Sequence, residues 1–343
     1  MNPLRRAARQ LTPQRAFHAP GWVVLGVNNV CNLHCRMCDV GTGADSNFAF
    51  HLTGAEPLNM PLDLLTDTLD QVAAMWPRAK VGWAFTEPSV YPHLLPSLQH
   101  ARRLGLHTTM TTNGLQLPKI ASGLREAGLR ELFVSLDGPA EVHDRVRRRE
   151  GAFDRAMEGI RLTKGGPRVS VFACVTPWNV RSFRRLWRAL DGIPLTIMHT
   201  NFTTPEMAER HNARFAAYPA TASNVAQMDV AEIDLDALWE EIRDLPVTFS
   251  PDLRSRAALE AFYRGTAPIG KRCGDVWRSV MIKSDGSVIP AHGRCYRVTM
   301  GNVRTQTLAS MWNGSEVGEL RRTLTKAGGL LPACVRCCSA FER

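Results

Sequence analysis

From Gly21 to about Thr248 the chain repeats one rhythm: a short β-rich run, a loop, then a helical stretch. That repetition constrains the fold more than any other feature. Runs at 22–26, 81–85, 107–111, 132–136, 169–175 and 195–199 read as strands. Between them, apolar spacing predicts helices over 62–75, 92–103, 151–163 and 181–190, the first led by Pro61 at a favourable first-turn position. Six such alternations imply a parallel sheet with crossover helices, because parallel strands need long return connections. The expected class is α/β, with a partial (β/α)6 TIM-like barrel that stays open for want of the eight strands of a closed one.

The rhythm breaks over 202–229, where Pro205, Pro219 and many small residues predict a lid or substrate loop. A helix over 235–243 and a strand near Val247 complete the first unit. Beyond Lys271 the texture changes. Residues 279–283 and 287–289, joined by Ser284-Asp285-Gly286, read as a hairpin with a tight polar turn. A helical run over 307–326 and a cysteine-rich tail follow. The expected organisation is a basic lead-in at 1–20, a barrel at 21–250 and a small cysteine-rich α+β unit at 265–343. This unit is small for an independent core, and a metal would help to hold it.

The net charge of +10 admits nucleic acid, phosphates or an acidic peptide as partners. Yet Arg and acidic residues are interleaved, the densest basic run (145–149) is short, and no aromatic-interleaved basic stretch offers a stacking surface. Neither nucleic acid nor a membrane is therefore expected, and no apolar stretch is long enough to span a bilayer. Arg5, Arg6 and Arg9 have no apolar region behind them, so a secretory or twin-arginine signal does not fit and a cytoplasmic location is expected.

Nine cysteines in 343 residues are not a small disulfide framework, and they are not scattered. Three lie in Cys31-Asn32-Leu33-His34-Cys35-Arg36-Met37-Cys38, five lie from Cys273 to the end, and Cys174 stands alone. The first run offers thiolates to separate irons of a cluster and provides no local fourth ligand, which leaves one iron open to a small molecule. Zinc fits less well, since neither a fourth cysteine nor a suitably spaced histidine closes the site. His34, between the ligands, reads as incidental.

This run after the first strand resembles the signature of the radical S-adenosylmethionine (SAM) superfamily. The resemblance implies an open iron that chelates the methionine moiety, and cleavage that yields a 5′-deoxyadenosyl radical able to take hydrogen from a substrate. Met37 stands where the family usually has an aromatic residue near adenine. Phe85-Thr86-Glu87-Pro88 stands where Gly-Gly-Glu-Pro is usual, with Glu87 placed to receive the cofactor's ammonium. Thr112-Asn113-Gly114 follows strand three, and Ser135-Leu136-Asp137-Gly138 ends strand four, before His143-Asp144-Arg145-Val146-Arg147. By the same resemblance Asn113, Ser135 and Asp137 serve the cofactor, and Arg147 pairs with its carboxylate.

Cys273, Cys295, Cys334 and Cys337, with Cys338 adjacent, resemble the auxiliary-cluster extensions called SPASM domains or, in a shorter form, twitch domains. Asp285-Gly286, Gly301-Asn302-Val303 and Trp312 add to the likeness. Five cysteines allow one auxiliary cluster, so two 4Fe-4S clusters and SAM are the expected cofactors; a structural zinc is the alternative that spacing alone permits. Cys338 is a spare thiol or a replacement for Cys337.

On 169–176 the polar set Ser170, Cys174 and Thr176 alternates with the apolar set Val169, Val171, Ala173 and Val175. Cys174 is thereby a candidate catalytic thiol facing the barrel interior. Resemblance to radical epimerases gives it the role of a hydrogen donor, and simple packing is the alternative. His199 reads as a structural histidine before it reads as a base. The expected activity is radical oxidation (a dehydrogenase) or epimerisation of a small molecule such as a sugar or aminocyclitol. An electron donor such as flavodoxin or ferredoxin would supply reducing power. A first strand near residue 22 leaves no room for a preceding peptide-recognition domain. A maturase of a ribosomally made peptide, RNA modification and a non-catalytic iron–sulfur or zinc electron-transfer or interaction protein are the other readings.

Overall fold

In a computed structural model that describes residues 12–42, 54, 56–291 and 298–341, ten strands form one sheet. They are β1 (Trp22–Leu25), β2 (Lys80–Trp83), β3 (His107–Thr112), β4 (Glu131–Ser135), β5 (Arg168–Cys174), β6 (Leu195–Met198), β7 (Thr248–Ser250), β8 (Ser279–Ile282), β9 (Ser287–Pro290) and β10 (Gly301–Asn302). The order is β10-β9-β8-β1-β2-β3-β4-β5-β6-β7. Strands β1 to β7 pair in parallel in chain order, which gives the partial TIM-like barrel. The predicted strands all appear, displaced by one or two residues at their ends.

The C-terminal unit extends the same sheet. β8 pairs in parallel with β1, residue Trp22 against Ser279 through Leu25 against Ile282, and β9 and β10 continue it antiparallel. All four residues of β8 are buried, as expected of a strand covered on both faces. The sheet thus supplies the core that so small a unit lacks. Residues 12–20 lie against this unit too: Trp277 Nε1 donates to Pro13 O at 3.0 Å and Trp312 Nε1 to His18 O at 2.8 Å.

The helices follow their apolar stripes. Leu62–Met75 buries Leu65, Thr68, Leu69 and Val72, one face at spacings of three and four. Two helices unassigned in the sequence reading occupy the β3–β4 and β4–β5 connections, Leu117–Glu126 and Ala140–Arg147; a second helix, Ala152–Leu162, follows the latter. The run 307–326 is two helices, Leu308–Trp312 and Ser315–Lys326, broken at Asn313-Gly314.

The segment predicted as a lid contains the helix Pro205–Asn212, capped by Thr204 Oγ1, which accepts from Met207 N at 3.2 Å. It is tied down at several points. Thr203 and Ser223 form a bridge, and both Asp39 carboxylate oxygens accept from Asn224 N at 2.9 Å. His211 Nε2 donates to Tyr218 O at 2.6 Å, and its Nδ1 accepts from Ala333 N at 3.2 Å. No helix among the described residues is long and apolar enough to cross a membrane.

Candidate active site and cysteine clusters

The inner face of β4 to β6 is not filled by side chains. Leu132, Val134, Val171 and Ala173 are buried against the helices, whereas Phe133, Ser135, Ser170, Phe172 and Cys174 on the opposite face are only half-buried. Closed TIM barrels pack this space with side chains, whereas these five side chains keep part of their surface exposed on that face. Phe133 and Phe172 stack there, ring centres 4.8 Å apart.

The loop after β1 brings Cys31, Cys35 and Cys38 to the C-terminal ends of the strands. Its turn depends on Gly41, where a Cβ would stand 2.6 Å from Cys35 N. His34 Nδ1 points back to Gly41 O at 3.3 Å, within the loop itself. Arg36 N donates to Val146 O at 3.1 Å, and the Arg36 guanidinium lies 4.0 Å from the centre of the Trp178 ring.

Burial pushes the Cys31 thiol up to about 12 and raises Cys35 and Cys38 as well, and the three thiols repel one another's charge. Left alone they stay protonated; a bound metal centre would displace those protons. The carboxylates whose charge reaches these thiols are occupied, Asp39 by Asn224 N, Asp137 by Arg147 and Glu87 by three donors. The donor set therefore fits a cluster held by three thiolates and open at one iron. Among the described residues no three ligating side chains gather about one point as a single metal ion would need.

Glu87 is buried, and its oxygens accept from Thr112 Oγ1 (2.7 Å), Asn113 N (2.7 Å) and Ser89 N (3.0 Å). A carboxylate has about four acceptor directions, so one remains for a ligand's ammonium. Asn113 holds the cysteine loop: its Nδ2 donates to Asn32 Oδ1 at 2.8 Å and lies 3.9 Å from Cys31 Sγ. Gly114 has φ +83°, and a Cβ there would meet Ala156 Cβ at 2.5 Å, which explains the Asn-Gly pair. Met37 is half-buried and packs on this loop, and Ser135 faces the open interior.

Asp137 is fully buried, and its oxygens accept from Arg147 Nε (2.6 Å) and Cys174 N (2.9 Å), which ties it to β5 and to Arg147. Arg147 is accordingly already neutralised, and its Nη1 lies 3.8 Å from Cys35 Sγ. Asn179 completes this support, donating to Asp137 O and Cys174 O, both at 2.7 Å.

Cys174 ends β5 half-buried, its Sγ 3.2 Å from Thr200 Oγ1. Burial, and then Asp137, push its thiol up to about 11. His199 is buried with Nδ1 2.9 Å from Tyr263 OH, and burial lowers it to about 3, so it is neutral. Asn28, whose Nδ2 donates to Glu87 O at 3.0 Å, escaped the sequence reading, as did Asn179, Thr200 and Tyr263. Only Asn179, in Thr176-Pro177-Trp178-Asn179 after a strand, carried a local turn signal.

In the second cluster Cys273 is buried, and its thiol is raised first by burial and then by the charges of Cys334 and Cys337, which are themselves joined by a Cys337 N to Cys334 O hydrogen bond of 3.1 Å. Cys273 N donates to Gly329 O at 3.0 Å, and Arg272 bridges to Phe341. Cys295 and the Cys338 side chain lie outside the described residues.

Comparison with known proteins agrees with this arrangement. Residues 26–190 match the Radical SAM superfamily, and residues 273–338 match SPASM, an iron–sulfur cluster-binding domain. The AdoMet-dependent heme synthase of Methanosarcina barkeri is 25% identical over 312 residues, 88% of this chain and 84% of that protein. The GTP 3',8-cyclase of Geobacter sulfurreducens is 27% identical over 270 residues, 76% of this chain and 77% of that protein. The fold is similar to that of Streptococcus suis SuiB bound to S-adenosylmethionine, with TM-score 0.59 and 18% identity over 96% of this chain and 75% of that one. The chain belongs to the radical SAM superfamily and carries a C-terminal SPASM domain. SAM and two 4Fe-4S clusters are the cofactors that this pairing brings.

Proposed function

We propose that the barrel at 21–250 binds SAM at a cluster held by Cys31, Cys35 and Cys38, and that the unit at 265–343 holds an auxiliary cluster through Cys273, Cys295, Cys334 and Cys337. When bound, the first cluster and SAM supply a 5′-deoxyadenosyl radical that takes hydrogen from an unactivated C–H bond. Glu87 offers its remaining acceptor direction to the cofactor's ammonium, and Arg147 its outer nitrogen to the carboxylate. Met37 lies on the adenine side, while Asn113 and Asp137 keep the cysteine loop and Arg147 in place. The observation that carries this reading is the three-thiol loop at the strand ends, beside the partly exposed inner face of β4 and β5, its neighbouring carboxylates already engaged.

The substrate is a small molecule such as a sugar or aminocyclitol, and the outcome is two-electron oxidation, with the auxiliary cluster as acceptor. Epimerisation is the second reading, favoured by Cys174. Its thiol keeps its proton at neutral pH and faces the chamber, as a hydrogen donor must. Turnover of the anaerobically reconstituted enzyme in deuterated water separates the two. Oxidation gives a product two hydrogens poorer without solvent deuterium, whereas epimerisation gives deuterated product that Cys174→Ala abolishes. Replacing Cys31, Cys35 and Cys38 with Ala should end 5′-deoxyadenosine formation; an unchanged rate would sink the proposal.

A peptide substrate is favoured by one feature, a cavity of about 830 Å³ between Met207–Phe215 and the turn around Pro332. It is lined by Arg210, Arg214 and Lys326 over an apolar floor of Phe215, Leu330 and Leu331, with no acidic residue. On that reading, reversing the three charges raises KM for an acidic peptide and leaves a neutral small substrate unaffected.

A further inference from the structure

Arg336 stands between two cysteines in Cys334-Val335-Arg336-Cys337, and none of its surface reaches solvent. A guanidinium keeps its charge in proteins, so this is a permanent buried cation. Its Nη1 donates to Ala267 O (3.1 Å) and Val335 O (3.0 Å), and its Nη2 to Ala261 O (3.0 Å) and Gly265 O. Ala261 and Gly265 lie in and just after the helix Arg256–Tyr263, at the end whose partial negative charge favours a cation. The guanidinium also lies 5.7 Å from the centre of the Phe262 ring.

These contacts solvate the charge without neutralising it. Among the described residues no carboxylate pairs with Arg336, and its buried Nε has no hydrogen-bond partner. A buried charge lacking a counter-ion is costly, so an anion bound close to it would be stabilised and would stabilise it in turn. The neighbours in sequence are the thiols of Cys334 and Cys337, and Cys273 feels both. Four thiolates outweigh the positive charge of an iron–sulfide core. The loaded site is therefore an anion, and each added electron makes it more negative.

We propose that Arg336 is the internal counter-ion of the auxiliary cluster and raises its reduction potential, which suits the site to accept an electron. This rests on the assignment of an auxiliary cluster to the C-terminal cysteines. Charge and burial are the levers by which a protein sets such a potential, and Arg336 supplies both in one side chain.

The test uses the full chain with Cys31, Cys35 and Cys38 replaced by Ala, so that the auxiliary cluster alone reports. Its potential is measured by anaerobic redox titration followed by electron paramagnetic resonance. Arg336→Met keeps the reach and removes the charge; Arg336→Lys keeps a charge and removes the fork. Full iron content is expected in both. At a fixed potential the Met variant should show about a tenfold lower reduced-to-oxidised ratio, about 59 mV for a one-electron couple, with the Lys variant much closer to the parent. A Met variant at the parent potential overturns the proposal. So do Met and Lys variants that shift together, or that both fail to hold the cluster, since Arg336 would then be a packing residue. A parent protein that binds zinc there, or no iron, removes the cluster assignment itself, an outcome visible before any Arg336 variant is compared.

Discussion

The ion pair between Arg147 and Asp137 shows how a residue that looks like a ligand contact can be structural first. The Asp137 side chain is wholly buried, and the Arg147 side chain is 11% exposed. Removing one partner leaves the other charged and unpaired, which typically costs about 3–5 kcal/mol. Arg147→Ala should therefore lower the unfolding free energy by roughly that much, in addition to any effect on SAM binding. The double variant Asp137→Asn/Arg147→Met, which removes both charges and keeps an acceptor for Cys174 N, should recover most of the loss. Urea unfolding measures both, and a double variant as unstable as the single one refutes the account. Phe85 carries a different kind of strain, with φ +95° at a position where the family pattern has glycine. A bulky residue in that region is held there against its preference. Phe85→Gly and Phe85→Ala lose the same ring, so their difference isolates the backbone. The glycine variant should be the more stable by about 1 kcal/mol, the reverse of the order in ordinary helix or strand.

Elements were legible where the chain itself supplied both a start signal and a period. Leu62–Met75 was readable to the residue because Pro61 precedes a long apolar stripe. Leu117–Glu126 and Ala140–Arg147 were not, since each begins within a few residues of an Asn-Gly or Asp-Gly pair, although Pro118 and Pro139 are well placed at a helix start. Helix Pro205–Asn212 was hidden as well, its proline counted as a breaker when it occupies the first turn. Cysteine spacing made the first site legible because all its thiols come from one loop. The side chains that support it do not: Asn179 reaches Asp137 across 42 residues, and Asn113 reaches Asn32 across 81. No local pattern records such meetings. Arg336 was invisible for a subtler reason, since a single arginine between cysteines reads as exposed until its burial is known.

At the scale of the whole molecule, β1 is the hinge of the design, paired with β2 on one side and β8 on the other while it leads into the Cys31 loop. Without β8, the β1 edge would expose a row of backbone donors and acceptors, so the C-terminal unit closes the barrel's sheet as well as carrying its own cysteines. The segment tied to Asn224 and His211 joins the two sites a second time. At one end it grips Asp39, next to Cys38; at the other it grips Ala333, next to Cys334. Such a strap makes the two cofactor sites thermodynamically reciprocal. Whatever free energy one cluster contributes to fixing residues 201–224 lowers the ordering cost for the other, and linkage requires the factor to be the same in both directions.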